Sequence, residues 1–253
     1  MQFVILTGAS RGLGAAMAER LLSPSRQLVC IARSPNEALA AKARASGARL
    51  DYRLCDLSDG GAAARLADSL GQALNSASGA SRFVLINNAG TIEPIGRVET
   101  LAAAALATAL QLNLAAAMLL TASFLAATDA SGIERRVLNI SSGAARYPVA
   151  GWSAYCSAKA ALDMFTRCIK AEQVGRPNAA RACSLAPGVI DTDMQVTIRG
   201  ADQADFPPVE RFRKLKADGA LGSPGEVAAR ILAYLERDDF GEREIDDIRD
   251  SLT

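Results

Sequence analysis

The sequence reads as a doubly wound α/β domain with a parallel sheet, on three grounds. Short apolar runs rich in β-branched residues alternate with stretches of helical periodicity along most of the chain, the pattern of strands covered by helices on both faces. A glycine-rich turn follows the first of these runs and opens directly into a helix. No low-complexity linker and no repeat of fixed period breaks the alternation, so the 253 residues read as one domain.

In chain order, strands are expected at 3–7, 28–32, 49–54, 83–87, 137–141 and 181–185. Helices are expected between them at 12–22, 35–46, 60–76, 98–128 and 152–173, the last with Ala158, Leu162, Phe165 and Ile169 at helical spacing. No charged residue occurs from 101 to 128, and about 20 apolar residues suffice to span a bilayer. That run is mostly Ala, with Thr108, Gln111, Asn113, Thr121 and Ser123 spread through it, and Ala contributes little transfer energy. The expectation is therefore a helix buried on most sides, or one used between subunits, and no membrane association. After Pro187 the pattern loosens through 188–208, where Gly200, Pro207 and Pro208 fall. Connections longer than about 15 residues in a compact domain are usually functional. A lid over a substrate, at about 189–217, and a plain surface excursion both remain open. A helix at 224–235 and an acidic tail at 236–250 follow.

Composition excludes several functions. Lys+Arg number 28 against 27 Asp+Glu, so there is neither a basic field for nucleic acid nor a polybasic membrane anchor. The chain has no His, which removes the Ser-His-Asp triad and the commonest zinc ligand. Chemistry must rest on Tyr, Lys, Ser, Cys or carboxylates. The cysteines, Cys30, Cys55, Cys156, Cys168 and Cys183, are widely spaced in apolar runs without a Cys-x-x-Cys pair. Buried free thiols in a reducing compartment, and no metal, are expected. The first strand starts directly after Met1, which leaves no room for a leader and predicts a cytoplasmic protein.

The turn reads Thr7-Gly8-Ala9-Ser10-Arg11-Gly12-Leu13-Gly14. Its glycines allow a tight turn and close approach to a pyrophosphate, which would sit on the free N–H groups and positive end of the following helix. An acidic residue at the end of strand two would bind the ribose 2′-OH of NAD, but Ala32-Arg33 stands there. Arg33, with Arg11 as a second cation, would pair with a 2′-phosphate, which favours NADP(H) over NAD(H); two solvated surface arginines are the plain alternative. Asp56 either accepts from the adenine amino group or caps a helix with Ser58 nearby.

Tyr155 and Lys159 are four apart in a predicted helix, so both project from one face. A phenol with pKa of about 10 is a poor acid or base near neutrality unless a cation such as Lys159 stabilises its phenolate. Ser142, ending strand five, offers a hydroxyl to the same oxygen, and Asn113 could hold a water against the lysine.

The glycine turn, Asn87-Asn88-Ala89-Gly90 after strand four, Asn113, Ser142, Tyr155-x3-Lys159, and Pro187-Gly188 with Thr192 together resemble the short-chain dehydrogenases/reductases. The resemblance covers essentially the whole chain. It implies a single Rossmann domain with a parallel seven-stranded sheet and helices on both faces, and a catalytic tetrad of Asn113, Ser142, Tyr155 and Lys159. It also implies NADP(H) contacts from Gly8, Ser10, Arg11, Gly12, Leu13 and Gly14, from Arg33, Asp56 and Leu57, and from Asn88, Ala89 and Gly90. Tyr155 and Lys159 would reach the nicotinamide ribose, and Pro187, Gly188, Ile190, Thr192 and Met194 would lie along the cofactor.

Within that family, Gly151-Trp152-Ser153-Ala154-Tyr155-Cys156, Asp191-Thr192-Asp193-Met194-Gln195 and Asp163-Met164-Phe165-Thr166-Arg167 are similar to the branch of sepiapterin reductases and bacterial benzil reductases. That likeness implies a small carbonyl substrate, an α-dicarbonyl or aromatic ketone, lying against Ser142, Trp152, Tyr155 and Gly188. It also places Asp246 about where an aspartate grips a pterin ring, a solvated charge being equally open. Tyr147, Met194, Phe206 and Phe212 are candidates for pocket walls or for core. A 3-oxoacyl-carrier-protein reductase, or a sugar or steroid dehydrogenase, is the alternative, and a non-catalytic NADP(H) sensor a remote one. Association into a homodimer or homotetramer is expected through the helices around 101–128 and Tyr155.

Overall fold

The computed structural model describes residues 1–77 and 79–250. Strands β1 (Gln2–Thr7), β2 (Arg26–Ala32), β3 (Arg49–Leu54), β4 (Arg82–Asn87), β5 (Glu134–Ile140), β6 (Arg181–Ala186) and β7 (Ile245–Asp247) form one sheet. It is parallel throughout, in the order β3-β2-β1-β4-β5-β6-β7. Alternate side chains of each central strand enter two separate cores, which is why these runs are apolar throughout rather than alternating. Val4, Leu6, Leu28 and Cys30 pack under α1 (Gly12–Leu21), α2 (Glu37–Ser46) and α9 (Pro224–Glu236). Phe3, Ile5, Val29 and Ile31 pack under α3 (Gly60–Asn75), α5 (Ala116–Thr128) and α6 (Ser153–Gln173). The edge strand β3 is half-exposed and protected by charge, Arg53 pairing with Asp51 at 2.8 Å.

The run expected as one helix over 98–128 is divided. A single 3₁₀ turn at Val98–Thr100 precedes α4 (Ala103–Leu110), a π-helical turn spans Gln111–Ala115, and α5 follows. Nor is it buried on most sides: Leu120 and Phe124 enter the core, while Leu110, Met118 and Leu119 stay exposed, as does Met164 on α6. The segment 189–217 holds two helices, α7 (Asp193–Arg199) and α8 (Val209–Ala217). Their Ile198, Val209 and Phe212, with Phe206, form a third cluster with Ile92, Trp152 and Tyr155. This roof is packed on the sheet's C-terminal edge rather than looped away from it. The cysteines are mixed in setting: Cys30 and Cys183 are buried, Cys55 and Cys156 half-buried, and Cys168 exposed, contrary to the expectation for all five.

Candidate active site

Strand order reverses between β1 and β4, and ligands of open α/β sheets bind at such a crevice beyond the strand C-termini. The glycine turn leaves β1 there, 87–90 leaves β4, Ser142 follows β5, and Pro187 follows β6. Together they border one cleft of about 570 Å³. Gly8 takes φ +73°, and Asn88 ties the turn from behind, its N–H donating to Thr7 Oγ1 at 2.9 Å and its amide to the Thr7 carbonyl at 3.0 Å. No side chain caps the start of α1, so its first N–H groups are left to whatever occupies the cleft. Open amides, the helix's positive end and two nearby arginines fit a dinucleotide pyrophosphate and its phosphate.

Gly8, Ser10, Arg11, Gly12, Leu13, Gly14, Arg33, Leu57, Asn88, Ala89, Gly90, Pro187, Gly188, Ile190, Thr192 and Met194 all line this cleft. Asp56 does not. Its Oδ1 accepts from the N–H and hydroxyl of Ser58, at 2.9 and 2.7 Å, in a local turn that holds its carboxyl below the usual range. The helix cap is instead Asp59, which accepts from Ala62 N–H at 3.0 Å. Arg11 is turned onto Asp193 across the cleft at 3.2 Å, a solvated pair that costs little to open.

Tyr155 and Lys159 share one face of α6, which opens on Trp152 and presses them against the end of β5. Both line the cleft with Ser142. Lys159 Nζ donates to the Ile140 carbonyl at 2.8 Å and lies 5.8 Å from the Tyr155 ring centre. Burial pushes the phenol up to about 12, against a hydrogen bond with Ser142 that works the other way. Burial also brings the ammonium down to about 8, against the nearby Asp163 carboxylate. Desolvation thus outweighs the expected lysine effect on the phenol, and Tyr155 keeps its proton through the neutral range. Asn113 sits on the π turn outside the main cleft, in a small recess it shares with Lys159. Its Oδ1 accepts from Thr91 N–H at 2.8 Å and its amide donates to the Thr91 carbonyl at 2.9 Å. The side chain thereby fastens the loop after β4 beside Lys159.

Asp246 is not in the cleft. Adjacent strand residues face opposite ways, and the register Leu185↔Asp246 turns this carboxylate under α9, where Tyr234 O–H donates to it at 3.0 Å. Among the candidate walls, Tyr147, Trp152, Met194 and Phe212 line the cleft. Phe206 is fully buried behind them, stacked on Trp152 with 4.8 Å between ring centres.

Three residues here were missed in the sequence. Asp163 accepts from Ser141 and Ser184 hydroxyls, both at 2.6 Å, beneath Lys159. Its signal was present, a carboxylate one turn beyond Lys159 on the same helical face. Arg211 and Arg249 also line the cleft and carried no such signal.

A dinucleotide cradle at the switch point, with serine, tyrosine and lysine on the opposite wall, defines a nucleotide-dependent oxidoreductase of the doubly wound class. Residues 2–203 match the short chain dehydrogenase family, and the chain belongs to it. The chain is 37% identical to a benzil reductase ((S)-benzoin forming) of Bacillus cereus, over 97% of its own length and 98% of the relative's. It is 35% identical to the sepiapterin reductase of Mus musculus, over 93% and 92%. Among solved structures it resembles the KRED1-Pglu enzyme, with TM-score 0.80 and 29% identity over 96% of this chain and 99% of that one. A short-chain dehydrogenase/reductase of Burkholderia vietnamiensis matches at TM-score 0.66 and 37% identity, over 98% and 97%.

Proposed function

We propose that this protein is an NADPH-dependent carbonyl reductase acting on an α-dicarbonyl or aromatic ketone. The observation that carries the reading is a buried phenol that keeps its proton, beside a serine hydroxyl, on the wall of the cleft that the glycine turn opens. When bound, the reduced nicotinamide supplies a hydride to the carbonyl carbon. Ser142 and Tyr155 hold the carbonyl oxygen, and Tyr155 passes its proton there as negative charge develops. Lys159 stabilises the phenolate that remains. Tyr147, Trp152 and Phe212 supply flat apolar walls that suit an aromatic substrate. The likeness to benzil and sepiapterin reductases supports that substrate class. Arg33, and Arg11 once released from Asp193, suit the 2′-phosphate of NADPH.

The test is oxidation of NADPH, with NADH in parallel, against benzil, 1-phenyl-1,2-propanedione, sepiapterin and an acetoacetyl thioester. Diketone turnover is expected with NADPH, and Arg33→Ala should raise the NADPH KM about tenfold, the effect of losing one charge-assisted contact, with little change for NADH. Turnover of the thioester alone would move the protein to acyl-carrier chemistry, and NADPH binding without turnover would make it a sensor.

The two shifted groups also set a pH dependence. Reductive kcat should be level near neutrality and fall above about pH 8, as Lys159 loses its proton while Tyr155 keeps its own. Asp163→Asn removes the charge that raises Lys159, so the break should move to lower pH. A profile flat to pH 10 in both proteins would remove Lys159 from the reaction.

The exposed Leu110, Met118, Leu119 and Met164 suit association into a homodimer or homotetramer. A monomeric mass by light scattering at micromolar concentration would overturn it.

A further inference from the structure

The substrate end of the cleft carries charge for which a neutral diketone has no use. Arg249, just beyond β7, is gripped side-on by Asp247: Nε donates to Oδ1 at 2.8 Å and one terminal nitrogen to Oδ2 at 2.7 Å. The Asp247 side chain is 2% exposed and that of Arg249 60%, so the carboxylate is sunk and the guanidinium presented. A Cβ built on Gly188 would stand 3.5 Å from Arg249 Cδ, so the arginine stem crosses the turn after β6. Asp247 also lies 3.7 Å from Arg146, and the Asp250 carboxylate adds a second negative charge near Arg249, so two carboxylates stand with two guanidiniums while only the Arg249 guanidinium is presented to the cleft. Arg211 at the start of α8 lines the same cleft and makes no side-chain hydrogen bond or ion pair among the described residues. Phe212, next in sequence, anchors that helix with its ring centre 5.2 Å from Trp152.

Arg249 is not placed for the 2′-phosphate. Arg33 follows β2 and Arg249 follows β7, strands that lie five spacings of about 4.8 Å apart across the sheet. A guanidinium locked by a buried carboxylate has its remaining N–H groups held in one orientation, ready for a planar anion. Among the described residues, Glu93 is the carboxylate that lines the cleft outside the Arg11–Asp193 pair, and it opposes such an anion.

Resting on the carbonyl-reductase reading above, we infer that the substrate is an anion, a dicarbonyl or aromatic ketone bearing a carboxylate, and that Arg249, with Arg211, binds that carboxylate. Arg249 is thus a specificity-determining residue, and the end of the cleft expected to present an aspartate presents an arginine.

The test uses benzil and 4-carboxybenzil as a matched pair. Binding to the full chain carrying NADP⁺ is measured by calorimetry, and turnover with NADPH by absorbance. The carboxylated compound should bind about tenfold more tightly and show a similar advantage in kcat/KM, as expected for one charge-assisted contact. Raised ionic strength should shrink that preference in the unaltered protein. Arg249→Met should bring the ratio near one with NADPH affinity unchanged, and Arg211→Met should reduce it partway. Equal binding of the pair by the unaltered protein, no binding of either, a ratio that survives Arg249→Met, or a parallel loss of NADPH affinity would overturn the inference. Preferential binding without turnover of either compound would sustain it and defeat the diketone-reductase reading. Turnover of both without preference would do the reverse.

Discussion

Tyr155→Phe should lower kcat about 10²–10⁴-fold, the usual contribution of a general acid, and leave NADPH affinity within about twofold of the unaltered protein. The substitution removes one oxygen and keeps the ring, which packs edge-on to Trp152 with 5.8 Å between centres. Lys159 retains its hydrogen bond to Ile140, and the glycine turn is untouched. Ser142 is the hydroxyl left beside the carbonyl, and an alkyl alcohol is a far weaker acid than a phenol. Its oxygen can still orient the substrate, so binding should suffer less than turnover. Steady-state rates on benzil, set beside a fluorescence titration with NADPH, separate the two effects. Turnover near the unaltered rate would place the proton elsewhere and remove the assignment.

Gly14→Ala should have the second large effect, on cofactor affinity and on folding together. A Cβ at Gly14 would stand 2.0 Å from the Gly8 carbonyl oxygen and 2.6 Å from Asn88 Nδ2. Neither can withdraw cheaply. Gly8 is committed to its turn at φ +73°, and Asn88 Nδ2 is bonded to the Thr7 carbonyl. The β1–α1 turn must therefore open. Overpacking of this kind costs about 1–3 kcal/mol of stability, and here the upper end is expected because backbone rather than side chain must move. The displaced first turn of α1 should raise the NADPH dissociation constant at least about tenfold. Gly225→Ala is the control, since nothing lies within 4 Å of its Cβ position and its φ is ordinary. Denaturant midpoints and NADPH titrations of both variants decide the matter. Equal behaviour of the two would mean that the tight approach at Gly14 has no energetic consequence.

Most element positions were legible because they rest on local periodicity. The expected 49–54 strand is β3 itself, and the expected 60–76 helix ends one residue early. The failures have particular causes. β5 begins at Glu134 rather than 137 because Arg135 and Arg136, charged residues that read as a boundary, are both buried. Arg135 reaches Asp129 at 3.1 Å, and Arg136 reaches Glu134 and the Arg237 carbonyl at 2.7 and 2.8 Å. β7 lay hidden in an acidic tail because two of its residues are aspartates, and only pairing with β6 makes it a strand. The π turn at 111–115 has no compositional signal. Asn113 occupies it, bonded to the backbone of Thr91, 22 residues away.

Local sequence was enough for the order of the first six strands, the glycine turn at the end of β1, and the placing of Tyr155 and Lys159 on one helical face. Each follows from covalent spacing along a chain of known local geometry. Long-range packing settled which carboxylate of the 245–247 strand turns inward and which holds an arginine over Gly188. It also settled that Tyr155 keeps its proton, that Asp163 lies beneath Lys159, and that a guanidinium borders the cleft beside Gly188. Those outcomes depend on burial and on charges brought together from distant parts of the chain. Strand register and desolvation set them, and neither is a function of local sequence.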